Sequence, residues 1–367
     1  MANRIAIFAS YSRDGAIADY VLYYLRGLKK VANCIVFVAD CDLAAGEEEK
    51  LEGLVTYSKC ERHGCYDFGS YRRGFEMAEQ NGVLADADEV IFCNDSCYGP
   101  VTSFEKVFTE MDRKDCDFWG MAESHQMKIH LQSYFLVFKK KVFQSNCFKD
   151  YVHSFKKQDN FWDYVDKYEI NFAGYLSEAG FAFASYLDIS KYEKANNNSP
   201  INPTFYPIMN LTDGMPLLKR KVFGCQYCAV LRDKPIDIMN MIKAINKELY
   251  DIILHDVENG FSDLQRPCFD ELRRLMEHAA KLEQKQGELY GQISYLEQLQ
   301  RELREQNTNL EQLQRELREQ NTNLEQIRDE QERRIHMKDR KITMLKRVLV
   351  LVFIASVLSA IYLFTYI

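Results

Sequence analysis

The sequence lacks a positive charge balance. Its 47 lysines and arginines stand against 54 aspartates and glutamates, a formal net charge of -7. That argues against a nucleic-acid binder, whose footprint is basic. It also lacks a cysteine framework. The 11 cysteines are odd in number and scattered, which suits free buried thiols in a reducing compartment better than a disulfide scaffold. Cys225 and Cys228 form a CxxC without a second pair. Zinc needs four ligands, so this pair alone argues only weakly for a zinc or redox role. The pattern of a signal peptide is missing too: RIAIFA, at residues 4–9, is short and polar-flanked, and predicts a first strand.

What is present suffices for a sizeable core. The 367 residues are 47% apolar, a length that allows two or three units. Patterning predicts strands over 4–10, 34–39, 54–57, 89–93, 117–121, 133–138 and 181–187. Helices are predicted over 16–30, 69–79, 103–111 and 164–179. The first helix carries Ile17, Tyr20, Val21, Tyr24, Leu25 and Leu28 at helical spacing. Alternating strands and helices predict an α/β domain with a largely parallel sheet over residues 1–230. ANNNSPINP, at 195–203, reads as a loop. Residues 204–222 are apolar but interrupted by Gly214, Met215 and Pro216, and no element is predicted there. Lys219, Arg220 and Lys221 form a basic cluster near the end of that segment. It reads either as a solvated turn or as part of an anion site.

Beyond a helical connector over 231–270 the pattern changes. Leu275, Leu282, Leu289, Leu296, Leu303, Leu310, Leu317 and Leu324 recur every seven residues, and LEQLQRELREQNTN occurs twice in tandem. This predicts a coiled-coil stalk over 271–345 and a homo-oligomer, a parallel dimer being favoured. Residues 348–367 carry no charge and are long enough to span a bilayer. Arg333, Arg334, Lys338, Arg340, Lys341, Lys346 and Arg347 all precede them. By the positive-inside rule the N-terminal part is expected in the cytoplasm, on a single-pass C-terminal anchor in the inner membrane.

Four stretches place polar residues where elements begin or end. Ser10, Tyr11 and Ser12, with Asp40, follow the first two strands, where a nucleotide commonly sits in a doubly wound sheet. In HGCYDFGSYRRG, at 63–74, glycines bracket Asp67 ahead of a helix; the stretch reads as an anion turn or as a plain N-cap. Asn94, Asp95 and Ser96 end the apolar run of residues 90–93. A carboxylate there can hold a divalent ion and, through it, a diphosphate; the alternative is a cap for the next helix. Glu169 lies near the start of a helix that ends at Gly180. It reads either as dipole stabilisation or as a general base.

HGCYDFGSYRRG, VIFCNDSCYGP, DFWG, HLQSYFLVFKK and the segment from KYE to EAG resemble the rhamnan synthesis F family of bacterial glycosyltransferases. The resemblance covers residues 4–223 and implies a fold of the GT-A type, a Rossmann-like nucleotide-binding half joined to an acceptor half. It implies transfer of L-rhamnose from dTDP-rhamnose to a growing cell-surface polysaccharide or lipopolysaccharide. Nucleotide sugar, glycan acceptor and membrane are then the partners. A more distant likeness to inverting GT-A enzymes implies that Glu169, eleven residues before Gly180, is the catalytic base. Those enzymes often carry Asp-x-Asp where this chain has Asn94, Asp95 and Ser96. Asp95 is thus the one acidic ligand for Mg²⁺ or Mn²⁺ there, with His125 and His130 as further candidates. The donor set implied is Ser10, Tyr11, Asp40, Gly64, Asp67, Asn94, Asp95, Lys219 and Arg220, with Asp40 and Asp67 on the nucleoside. The rival expectation is a non-catalytic sugar- or nucleotide-binding module on a coiled-coil membrane tether that organises other enzymes.

Overall fold

Three strands, β1 (Arg4–Ser10), β2 (Cys34–Ala39) and β4 (Glu89–Asn94), are buried along nearly their whole length. Continuous burial marks parallel strands covered on both faces, and these apolar runs are what the sequence supplies. With β3 (Tyr57–Cys60), β6 (Phe118–Gly120), β9 (Phe135–Lys139) and β10 (Phe183–Ser185) they form a seven-stranded sheet, ordered β10-β6-β9-β4-β1-β2-β3. All neighbours pair in parallel except β9, which runs antiparallel to β4 and β6. The α/β, mostly parallel expectation therefore holds. This computed structural model describes residues 2–224, 231–260 and 267–365; Cys225 and Cys228 lie outside them.

Alternation along β1 divides the core. Ala6 and Phe8 join one apolar cluster, Ile5, Ile7 and Ala9 the other. On the first face lie α1 (Asp19–Leu28) and α3 (Phe104–Met111), with Tyr24 stacked on Phe104 at 5.6 Å. On the second lies α2 (Tyr66–Gln80). A Cβ on Gly74 would come within 2.4 Å of Ile7 Cγ2, so only glycine lets α2 lie this close to β1.

Two elements differ from expectation. The third strand begins at Tyr57 because residues 48–51 form a 3₁₀ turn whose Leu51 carbonyl is bonded by Leu54 and Val55. That leaves Tyr57 to pair with Val36. The helix expected over 164–179 is interrupted: residues Val165–Ile170 form a π turn ahead of α4 (Asn171–Glu178). The chain also divides into two compact units, Met1–Ala279 and Ala280–Ile367. The expected connector is in fact part of the first unit. Ile238, Met239 and Ile242 of α5 (Pro235–Ile245), and Leu249, Ile253 and Val257 of α6 (Lys247–Gly260), are buried in the cluster that holds Tyr20 and Tyr24.

A helix, α7, covers Pro267–Thr365. The heptad leucines from Leu282 to Leu324 stand exposed on it, Leu296 at 62% and Leu317 at 64%. Among the described residues, one helical stretch, Gln284–Ala360, includes a window long and apolar enough to cross a membrane, by length and composition.

Candidate functional site

The order of the sheet reverses between β1 and β4, which are adjacent while β2 and β3 lie to one side. The crevice beyond the carboxyl ends of such strands is where ligands bind in open α/β sheets. Asp95 follows β4 there. Its Oδ2 accepts from the Ser10 hydroxyl and the Tyr11 amide, both at 2.8 Å, and its own amide donates to the Ala9 carbonyl at 3.1 Å. Asp95 is half-buried. Burial lifts its carboxyl above the usual range, against the opposing pull of the Tyr11 amide, Arg220 and Ser10.

Asn94 is the buried neighbour. Its Nδ2 donates to Asp67 Oδ2 at 2.6 Å, and its Oδ1 accepts from the Ser96 amide at 3.2 Å. Asp67 thereby joins the strand end from the first turn of α2. Burial, then the nearby Asp95 charge, push its carboxyl up to about 7; Lys219 and the Asn94 bond oppose the shift, and Glu169 adds to it.

The sign of that shift makes a prediction. The folded chain holds the Asp67 proton up to about pH 7, whereas the ordinary value is 3.8. The contribution of Asp67 to stability is therefore full below the ordinary value and lost as pH rises through about 7. Asp67→Asn should flatten this part of the profile and gain on wild type at higher pH. Denaturant melts at roughly pH 5 and pH 8 measure it. Identical pH slopes in the two proteins would show that Asp67 does not titrate in this window.

Cations reach the crevice from a segment for which no element was predicted. β5 (Cys97–Tyr98) pairs antiparallel with β11 (Leu218–Lys219), and the Arg220 amide donates to the Ser96 carbonyl at 2.9 Å. Lys219 Nζ donates to Ser96 Oγ at 2.9 Å and sits 4.4 Å from the centre of the Tyr134 ring. Arg220 pairs with Asp256 of α6 at 3.1 Å and lies over Tyr20. Burial, then the Lys219 charge, bring Lys221 down to about 8, with Glu169 opposing. The cluster is thus half-buried beside the end of β4 rather than a solvated turn.

Glu169 sits on the π turn. Its Oε1 accepts from the Ser133 amide at 3.3 Å, and its charge is felt by Asp67, Tyr71, Tyr134 and Lys221. Single π turns within helices are frequent at functional sites. Here one extra residue in the turn rotates Glu169 relative to a regular α-helix.

Asp40 and Gly64 are tied to each other. Asp40 Oδ1 accepts from the His63 and Gly64 amides, both at 2.7 Å. Gly64 takes φ +65°, which glycine adopts without strain. Its amide shapes this turn instead of facing an anion. His63 is brought down to about 4 by burial, against the pull of Asp40, and its Nε2 lies 3.0 Å from Ser70 Oγ. Sequence reasoning did not single out His63 or Arg62; the latter lies 5.0 Å over the exposed Tyr11 ring.

The donors do not assemble a metal cage. Among the described residues no group of three or more His, Cys, Asp or Glu side chains is arranged to hold an ion. His125 lies between Glu123 and Glu193, 2.6 Å from each. His130 Nδ1 is 2.7 Å from the Lys128 carbonyl. Neither histidine is therefore partnered with Asp95. Asp95, with Asp67 and Glu169 near it, instead faces the cations Lys219, Arg220 and Lys221.

The family model for rhamnan synthesis protein F matches residues 35–287. Two curated relatives, each described as virulence protein VirA, come from Vibrio anguillarum, one of them from strain ATCC 68554 / 775. They are 24% identical over 182 residues, 48% of this chain and 57% of theirs. The chain thus spans a little over half the length of these relatives. Among solved structures, the 4-diphosphocytidyl-2C-methyl-D-erythritol synthase of Anaerococcus prevotii DSM 20548 aligns at TM-score 0.30 and 12% identity, covering 46% of this chain and 84% of that one. Core-mannan synthase A of Aspergillus fumigatus, in an Mn/GDP form, aligns at 0.28 and 9%, covering 41% and 63%. Likeness at this level says nothing of activity.

Proposed function

The chain belongs to the rhamnan synthesis protein F family, and on that premise we propose that it is an inverting GT-A glycosyltransferase. It transfers L-rhamnose from dTDP-rhamnose to a growing cell-surface polysaccharide or lipopolysaccharide. The observation that carries the reading is one crevice in which Asp67, Asp95 and Glu169 meet Lys219, Arg220 and Lys221. An acceptor hydroxyl attacks the anomeric carbon as the bond to the diphosphate breaks. Glu169 takes the hydroxyl proton, and dTDP leaves with the bonding electrons. Lys219 and Lys221 neutralise the charge that develops on the leaving group. Ser10, Tyr11, Asn94 and Asp95 shape its seat. Asp40 and Asp67 face the nucleoside side, and Asp40 acts there through the Gly64 turn. A divalent ion accompanying the donor would be held by Asp95 and would supply neutralising charge to the leaving diphosphate.

Thermal stability against a panel of nucleotide sugars tests the donor assignment, since a ligand bound by the native state alone raises apparent stability. The dTDP sugars should give the largest rise. Formation of a glycosidic product separates an enzyme from a non-catalytic module on a membrane tether. The exposed heptad leucines are the observation that favours that second reading.

We place the catalytic unit on the cytoplasmic side of the inner membrane, held by the span at 348–367 and by an oligomeric stalk. Burying a leucine side chain is worth roughly 1.5–3 kcal/mol, so a seam of eight should associate. In an otherwise cysteine-free chain, Gln298→Cys and, separately, Gln312→Cys should give same-site crosslinks in membranes, as a parallel in-register pair requires. A monomeric stalk by sedimentation, with no crosslink in membranes, would leave a lone helical spacer.

A further inference from the structure

Beside the crevice stands a row of aromatic rings that the donor chemistry does not use. Tyr66 directly precedes Asp67. Its ring meets that of Tyr164 at 4.9 Å and that of Phe161 at 5.6 Å, and Phe161 meets Trp162 at 5.7 Å, each edge to face. Tyr164 is buried and forms the floor. Tyr66 and Phe161 are each 50% exposed and Trp162 70%. The floor is held in place: the Tyr164 hydroxyl accepts from the Gln158 amide at 2.8 Å and reaches the Gly64 carbonyl. The rings are therefore presented by a fixed base.

Tyr66 has φ +52°. A bulky residue in the left-handed region is costly, and such strain clusters at ligand sites where the surroundings enforce it. The strained backbone turns Tyr66 to solvent where α2 begins, one residue before the carboxylate that bonds Asn94. Along the chain in the other direction, Tyr164 leads straight into the π turn that carries Glu169. The row is thus joined along the chain to the elements that carry Asp67 and Glu169.

We propose that Tyr66, Phe161 and Trp162 form the acceptor subsite, and that its occupant is a pyranose ring of the glycan. This rests on the glycosyltransferase reading above. A pyranose presents a face of C–H bonds with slight positive charge, which suits the negative face of an aromatic ring. Its hydroxyls, at the ring edge, stay hydrated. Tyrosine and tryptophan give such contact area at low cost in conformational entropy. Its exposed members are the rings of Tyr66, Phe161 and Trp162, and Asn160 and Asp163, bonded to each other, supply a polar border. That composition fits a sugar better than the apolar face of a helix.

The two tryptophans make the test direct. Trp119 is buried at 1% exposure, so acrylamide quenching of fluorescence reports Trp162. The full chain in nanodiscs is titrated with methyl α-L-rhamnopyranoside, then with a rhamnose trisaccharide. Both should protect Trp162, the trisaccharide at lower concentration. Tyr66→Ala and Phe161→Ala should each weaken binding about threefold to tenfold. The thermal shift given by dTDP should stay unchanged in both variants, since neither ring belongs to the donor seat. If dTDP gives no shift while the glycosides still protect, the donor reading fails and the subsite stands. Absence of protection by both glycosides in wild type would overturn the subsite. So would protection that is unchanged in both variants. Protection that appears without sugar on raising protein concentration, or on adding anionic lipid, would overturn it in favour of a second copy or the membrane surface.

Discussion

Glu169→Gln should reduce glycosyl transfer about 10²- to 10⁴-fold, the usual loss when a general base is removed, and leave dTDP binding nearly intact. The two halves of that expectation have separate physical grounds. Glutamine keeps an acceptor for the Ser133 amide, which Glu169 Oε1 engages at 3.3 Å, so the π turn should persist. It cannot take a proton. The substitution also removes a negative charge that raises Asp67, which should if anything favour an anionic donor. A fall in kcat with unchanged nucleotide-induced stabilisation is therefore the expected pattern. Near-normal turnover in the variant would remove Glu169 from the role of base and return it to the bland reading, a carboxylate near a helix start.

The fold was legible where the chain buries long apolar runs. β1, β2 and β4 carry continuous apolar runs at 5–9, 34–39 and 90–93, and no polar face is needed to recognise them. Their order was not legible, because it depends on which strand pairs with which. β5 and β11 were beyond reach for the same reason. Each is two residues long, too short for any periodicity, and their pairing joins Cys97 to Lys219 across the chain. The π turn is also invisible to pattern. Tyr164, Tyr168 and Phe172 keep an i, i+4 spacing and all are buried, which reads as plain α-helix.

The candidate site was legible in its strand-end members. Asp95 and Asn94 follow an apolar run, and Asp67 lies in a glycine-rich stretch, so both positions announce themselves by local chemistry. What these side chains bond to was not legible. Asn94 bridges to Asp67 across 27 residues, and Asp40 holds the turn at His63 and Gly64. Lys219 and Arg220 carried a basic signal without a location. Their place in the crevice comes from strand pairing and from Asp256, a residue of the segment expected to be mere connector. Phe161 and Trp162 were passed over because exposed aromatic residues outside a predicted element carry no period to flag them.

Lys219→Ala should lower turnover about 10²- to 10³-fold, the range for losing one preorganised donor to a developing charge. Asp95→Asn should act differently, mainly on donor affinity. Lys219 Nζ is a cation held on Ser96 and Tyr134 beside the strand end, where it can neutralise charge on a leaving oxygen. Asp95 instead accepts two bonds that shape the strand end. Asparagine keeps one acceptor but sets an amide N–H₂ near the donors, and it withdraws a negative charge that Arg220 now faces. Chelator separates the alternatives. With three cations around a single strand-end carboxylate, chelator should leave nucleotide-induced stabilisation unchanged while Asp95→Asn diminishes it. If chelator reproduces the Asp95→Asn phenotype, Asp95 is a metal ligand, and Lys219 and Lys221 are auxiliary. If neither treatment changes donor binding, Asp95 takes no part in seating the diphosphate. Lys219→Ala tests the seat independently: intact turnover would then place the diphosphate elsewhere, and a loss confined to Lys219→Ala would keep the leaving group beside β11.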